Sequence, residues 1–241
     1  MRTYSEVLMN RMPMPGNRRL STKDYAYYEI KQRIISGDLE PDQPVNEESL
    51  AQELEISRTP LREALQRLEI EELLIRLPNG RLRVAPISVK EVEEIFEIRS
   101  YLEGIVAKQA TMNASEDDIQ NLAQLTREIV LAAEESRRED VVYFGNRFHN
   151  YLYEISGNQT ACKILSQLND HISRYRRLGP IRDAGRSRKA AEEHQAIFDR
   201  IAARDPEGAE KAMYTHIRNS LSTAVKSIEK YLQERTLGED H

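Results

Sequence analysis

Apolar residues recur at three- and four-residue intervals over most of the chain, the spacing of one face of an α-helix. The first such run follows Ser21, where Ser21 and Asp24 have the chemistry of an N-terminal cap, and it ends at Gly37. PDQP at 41–44 reads as a turn. Asn46 caps a short helix, ESLAQEL. A tight connection follows at Glu55-Ile56, and Ser57 caps a third helix running to about Glu72. The period changes in LLIRLPNGRLRVAPI, where two short runs of strand character flank Asn79-Gly80, a two-residue hairpin signal. Three helices and a hairpin in this order predict a winged helix-turn-helix over residues 21–87.

Beyond Pro86 the strand signal disappears. Ser88-Val89-Lys90-Glu91 is a helix start of the S-x-x-E kind. Six helices are predicted, at 89–112, 116–138, 140–156, 160–178, 187–203 and 206–235, with breaks at 113–115, 156–158, 179–180 and 205–206. The fold class is therefore mainly α, with the winged domain followed by an antiparallel helical bundle over 88–235. Residues 1–20 read as a flexible arm and 236–241 as a tail.

The 241 residues suit two modest domains. Charged residues make up 31% and mean hydropathy is -0.65; no apolar run approaches the roughly 18 residues of a membrane span. The N-terminus has no apolar signal core, and one cysteine, Cys162, excludes an internal disulfide framework, so a reducing cytoplasm is expected. Net charge is -5, and residues 1–87 hold 13 Lys+Arg against 14 Asp+Glu. Any nucleic-acid site must then be a local patch, because exposed charge is screened within about 8 Å.

The third helix supplies such a patch. At 100° per residue Leu61, Ala64, Leu65 and Leu68 fall within about 240–340° of Arg58, a stripe for the core, while Thr59, Arg62 and Gln66 fall near 40–100°. Arg58 and Arg62 lie one turn apart near the helix start, which suits contacts to base edges and phosphates in a major groove. Ser57 and the first backbone N–H groups offer an anion site. Arg76, Arg81 and Arg83 belong to the wing.

In the second half His194 sits amid Ala190, Ala191, Ile197, Phe198 and Ile201. His216 accompanies Ala209, Ala212 and Met213, and His149 flanks Phe148, Leu152 and Ile155. Three imidazoles on inward faces of three helices are candidate ligands for one divalent ion; three separately hydrogen-bonded core histidines are the alternative. Arg99 and Arg174 are candidates to pair with an organic-acid carboxylate, with structural ion pairs as the other reading. His171 stands as an outer group of that site or an ordinary polar residue, and RYRRLGPIRDAGRSRK (174–189) as a basic connection.

ISRTPLREALQRLE, with NEESLAQELE before it, resembles the recognition region of the GntR superfamily of bacterial transcription regulators over residues 22–87. Position for position, the resemblance implies DNA contacts at Arg58, Thr59, Arg62 and Gly80, supported by Ser57 and Arg81. Glu48 stands where some relatives carry an arginine. EIRSYLEGIVAKQA, RFHNYLYEISGN, EEHQAIFDRI and DPEGAEKAMYTHI resemble the FCD effector domain of the FadR branch, in its shorter VanR-like form. The resemblance implies a metal (Zn or Ni, or none) on His149, His194 and His216, a small organic acid effector, a homodimer and a double-stranded operator with an inverted repeat, without a membrane partner. Where the family pattern places an aspartate this chain has Gly145, with Asn146 beside it as an effector-binding candidate. A metal sensor without organic effector stays open. So does a hydrolase using water on the three histidines, with Glu193 next to His194.

Overall fold

The computed structural model describes residues 20–177 and 184–239, with a division into two compact units between Ile87 and Ser88. All but the last residue of the arm read at 1–20, the break at 179–180 and residues 240–241 lie outside the described residues.

The first unit holds α1 (Thr22–Ser36), β1 (Pro44–Val45), α2 (Glu47–Glu53), α3 (Arg58–Ile70), β2 (Leu74–Arg76) and β3 (Leu82–Val84). Local chemistry sets the boundaries. The Ser21 hydroxyl accepts from the Asp24 N–H, and Gly37 ends α1 in the left-handed region at φ 83°. Asn46 accepts from the N–H groups of Glu48 and Ser49. Between α2 and α3 the chain turns at Glu55, which holds φ 53° without being glycine. Leu61, Ala64, Leu65 and Leu68 are buried against Ala26, Tyr27, Ile30 and Ile34 of α1. A polar lock closes the same contact. Lys31, 4% exposed, donates to Tyr27 and to Glu71 just past α3, Tyr27 donates to Glu71, and Arg67 lies 3.6 Å from the Tyr27 ring centroid. Burial pushes the Tyr27 hydroxyl up to about 12.

Two features depart from the sequence reading. PDQP is not only a turn: Pro44 and Val45 pair with Arg83 and Leu82, so the sheet has three strands in the order β1-β3-β2. A two-residue strand beginning with proline carries no alternation to read. The wing loop is also longer than two residues. Leu77 N–H donates to Arg81, and Gly80, at φ 80°, donates back to Leu77, which makes Pro78-Asn79-Gly80 a three-residue loop with glycine in the left-handed region.

The second unit holds α4 (Val89–Asn113), α5 (Glu116–Glu134), α6 (Arg138–Ser156), α7 (Gln159–Arg177), α8 (Ala184–Ala202) and α9 (Pro206–Glu239). Caps again mark the starts: Ser88 accepts from Glu91 N–H, Ser115 and Asp118 form a capping box, and Asp205 accepts from Gly208 N–H. α9 packs most extensively along α4, while α5 packs on α6 and α8. At Gly104 the two longest helices come close: a Cβ there would lie 3.3 Å from the Glu210 carbonyl oxygen. α8 begins three residues earlier than the pattern predicts, and α9 continues through Glu239, into the segment read as a tail. α4 leaves Ile98, Tyr101, Ile105 and Met112 exposed on one stripe. No helix among the described residues is long and apolar enough to cross a membrane.

Candidate metal centre and DNA-reading helix

The histidines converge as α6, α8 and α9 come together. His149, His194 and His216 are 5%, 4% and 5% exposed. One ring nitrogen from each lies within 4.8 Å of the others. The ring centroids of His194 and His216 are 4.5 Å apart, and His149 stacks on His216 at 5.4 Å.

Each ring is tethered through Nδ1. His149 Nδ1 lies 3.0 Å from Glu103 Oε2, His216 Nδ1 lies 2.8 Å from Glu193 Oε2, and His194 Nδ1 lies 2.7 Å from the Ala190 carbonyl. All three partners are acceptors, so Nδ1 carries the proton and Nε2 keeps the lone pair. His194 Nε2 is buried and has no hydrogen-bond partner. A buried orphan acceptor costs about 1–3 kcal/mol in isolation, and a metal ion would satisfy it. Burial, followed by the neighbouring His216 and His149, pushes His194 well below its ordinary value. Burial also lowers His216, to about 4, although Glu193 opposes the shift. Neutral imidazoles, fixed in one tautomer by outer acceptors, are the form that ligates a divalent ion.

The outer acceptors are themselves anchored. Glu103 is fully buried; Arg99 donates to its Oε1 through Nε (3.0 Å) and a terminal nitrogen (2.8 Å), and Tyr153 donates at 2.7 Å. Burial alone would raise the Glu103 carboxyl, but His149 and Arg99 outweigh it and hold it below the ordinary range. Glu193 accepts from Arg186 at 2.9 Å and from Asn219 at 2.8 Å, and despite burial its carboxyl lies down at about 2.

A cavity of about 130 Å³ opens beside the histidines. That is room on the order of ten waters, or a small organic molecule. Phe96, Val141, Val142 and Ala224 make its apolar wall, and Asn146, Ser187, Ser220 and Thr223 its polar side. A Cβ on Gly145 would lie 3.4 Å from His194 Nε2. Of the three effector candidates, only Asn146 lines the cavity. Arg99 does not, because its guanidinium is committed to Glu103, and Arg174 is buried beside Glu91 and away from the lining. Among the described residues, the cationic side chain that lines it is Arg186. It stands two turns before His194 on the same helix face. Starting that helix at residue 187 concealed the i, i+4, i+8 series Arg186, Ala190, His194. His171 pairs with Glu91 at 3.3 Å and is not in the lining.

On α3, Ser57, Arg58, Thr59 and Arg62 are exposed, as are Gly80 and Arg81 at the wing. Ser57 occupies the N-cap position but makes no capping bond with its side chain. The face is less basic than a helical-wheel count implies. Arg58 pairs with Glu48 at 2.9 Å and Arg62 with Glu47 at 3.0 Å, both acids coming from α2. These pairs are solvent-exposed, and such pairs contribute about 0–1 kcal/mol, so phosphates or base edges can displace the acids. Arg76 is held by Glu69 and Gly80, and Arg83 by Asp42 at 3.3 Å.

A winged helix-turn-helix with an exposed arginine face, followed by a helical bundle with a histidine-lined cavity, defines a DNA-binding transcription regulator. Residues 22–84 match the "Bacterial regulatory proteins, gntR family" and residues 94–219 the "FCD domain"; the chain belongs to the GntR family and carries an FCD domain. Similar proteins include the HTH-type transcriptional regulator YdhC of Bacillus subtilis, 27% identical over 80% of this chain and 86% of that protein. The HTH-type transcriptional repressor RspR of Escherichia coli is 25% identical over 84% and 88%. The solved structure of McbR/YncC from E. coli superposes with a TM-score of 0.71 at 22% identity, over 87% of this chain and all of that one, and so shares the fold. The family and these relatives are transcription regulators, not enzymes, which sets the hydrolase reading aside.

The lowered His216 value gives a pH dependence. Its folded value is depressed, so the unfolded chain binds the extra proton first. Stability is present above about 6.5, the unfolded value, and is lost as pH falls through about 4. Urea melts of metal-stripped protein between pH 7 and 4 are expected to show this decline, with a weaker decline in that window for His216→Gln; an equal decline in both proteins would remove His216 as its source.

Proposed function

We propose that this chain is a cytoplasmic, ligand-responsive repressor that binds an inverted-repeat operator as a homodimer. A small organic acid in the cavity of the FCD domain, beside a divalent ion on His149, His194 and His216, sets its affinity for DNA. The observation that carries the sensing half is the convergence of three buried imidazoles on the edge of a cavity large enough for an organic molecule. That cavity favours an organic effector over sensing of the metal alone. The bound ion supplies Lewis acidity toward an oxygen donor. Zn and Ni both suit imidazole ligands.

Arg58, Thr59 and Arg62 face the major groove, with Ser57 and the first N–H groups of α3 toward phosphate and Gly80 and Arg81 at the wing. Ile98, Tyr101, Ile105 and Met112 form the face for a second copy, in a two-fold arrangement that places two recognition helices on two half-sites. Effector binding changes DNA affinity only by binding the two arrangements of the dimer unequally. A coupling of about 1–3 kcal/mol alters operator affinity roughly 5- to 150-fold. That the similar protein RspR is a repressor supports the sign.

Two measurements test this reading. Arg62→Ala is expected to abolish operator preference in mobility-shift titrations while leaving the far-UV melting curve in place; retained discrimination against scrambled duplex would remove α3 as the reading helix. His194→Ala/His216→Ala is expected to strip the metal from purified protein, with elemental analysis as the readout, and an unchanged metal content would place the ion elsewhere.

A further inference from the structure

The two acids that pair with the arginines of α3 are not placed alike. Arg62 donates through Nε to Glu47 at 3.0 Å, and the Glu47 side chain is only 29% exposed, a half-covered carboxylate that steadies the arginine. Arg58 donates through one terminal nitrogen to Glu48 Oε1 at 2.9 Å, and here both side chains stand out, 60% and 66% exposed. An exposed pair of this kind contributes about 0–1 kcal/mol, too little to explain a carboxylate on a face that meets a polyanion. Glu48 is not loosely placed either. Its backbone N–H donates to the Asn46 side chain at 2.9 Å, and Leu50 and Leu54 after it share a core with Leu61 and Leu65 of α3. The carboxylate and the guanidinium thus sit side by side on a fixed support.

One base pair matches them. In the major groove G·C shows, in order, two acceptors, guanine N7 and O6, and then a donor, the cytosine N4 amino group. Arg58 and Glu48 offer donors and then an acceptor. Their bond occupies one terminal nitrogen and one carboxylate oxygen, so each group can take a base edge as well. A·T shows acceptor, donor, acceptor, and sets its adenine amino group against Arg58. We propose, building on the α3 reading face above, that Arg58 and Glu48 act as one unit that reads a single G·C pair in each half-site, Arg58 on guanine and Glu48 on the cytosine amino group. A phosphate suits this unit poorly. Wherever Arg58 turns to a phosphate oxygen, Glu48 is left against the same negative charge. At G·C the two stay together and both are satisfied. Glu48 therefore counts against phosphate-only binding and for one base pair, which makes it a specificity-determining residue.

The test selects bound duplexes from a random-sequence library with full-length wild-type protein. Each cytosine of the selected site is then replaced, one at a time, by N4-methylcytosine, which removes the groove-facing N–H and keeps the base pair. Methylation of one cytosine in each half-site is expected to weaken wild-type binding roughly 10-fold. Glu48→Ala should be indifferent to methylation there, and Glu48→Gln, whose amide oxygen still accepts, should keep part of the effect. Glu47→Ala should keep the wild-type response. Glu48→Ala should also bind scrambled duplex more tightly than wild type, with a steeper dependence on salt. Far-UV melts confirm that each variant is folded. A selected site with no methylation-sensitive cytosine, or the same sensitivity in Glu48→Ala as in wild type, would overturn the proposal while α3 stands as the reading helix. A wild type that enriches no sequence from the library would overturn the reading face itself.

Discussion

The proposed sensing site depends on how three imidazoles are held. A histidine in a helical core can turn either ring nitrogen to its surroundings and can exchange its tautomer. Here Glu103, Glu193 and the Ala190 carbonyl each accept from one Nδ1, which turns Nε2 inward. Two of the tethers cross between helices, Glu103 of α4 to His149 of α6 and Glu193 of α8 to His216 of α9, so the three rings take up this arrangement only when those helices are packed together. Helix packing and the orientation of the rings are thereby coupled. The cost is concentrated in the buried Arg99–Glu103 pair, which is worth little as a net stabiliser and a great deal if half of it is removed.

The DNA-binding unit works by a looser principle. Its core is apolar and its register is tied by the Tyr27–Lys31–Glu71 lock, whereas Arg58 and Arg62, the arginines proposed to face DNA, stand in exposed pairs with Glu48 and Glu47. A rigid support beneath replaceable surface pairs lets the arginines exchange a carboxylate for a phosphate or a base edge without disturbing the fold. It also leaves the proposed reading face with little net charge, which limits sequence-independent attraction to phosphate.

Much of this was legible in the residues, for identifiable reasons. Caps at Ser21, Asn46, Ser88 and Asp205 are local, and each is made by the residue that the spacing indicates. The stripe Leu61–Ala64–Leu65–Leu68 follows from the helical period alone, and so do the inward faces of His194 and His216. What stayed hidden was tertiary. β1 is two residues long and exists only because β3 lies beside it. Arg99 reads as an effector contact until the packing of α4 buries it on Glu103. Arg186 belongs to the cavity because α8 starts earlier than its apolar pattern. The pairing of α3's arginines with α2's acids cannot be read from either helix by itself.

The most direct measurement of the central claim is the protonation state of the three rings in metal-free protein. Long-range ¹⁵N–¹H correlation spectra at neutral pH resolve the two nitrogens of each imidazole. The account predicts a protonated Nδ1 and a lone-pair-bearing Nε2 for His149, His194 and His216 alike. Protonated Nε2 on any of them, or an imidazolium at neutral pH, would contradict it.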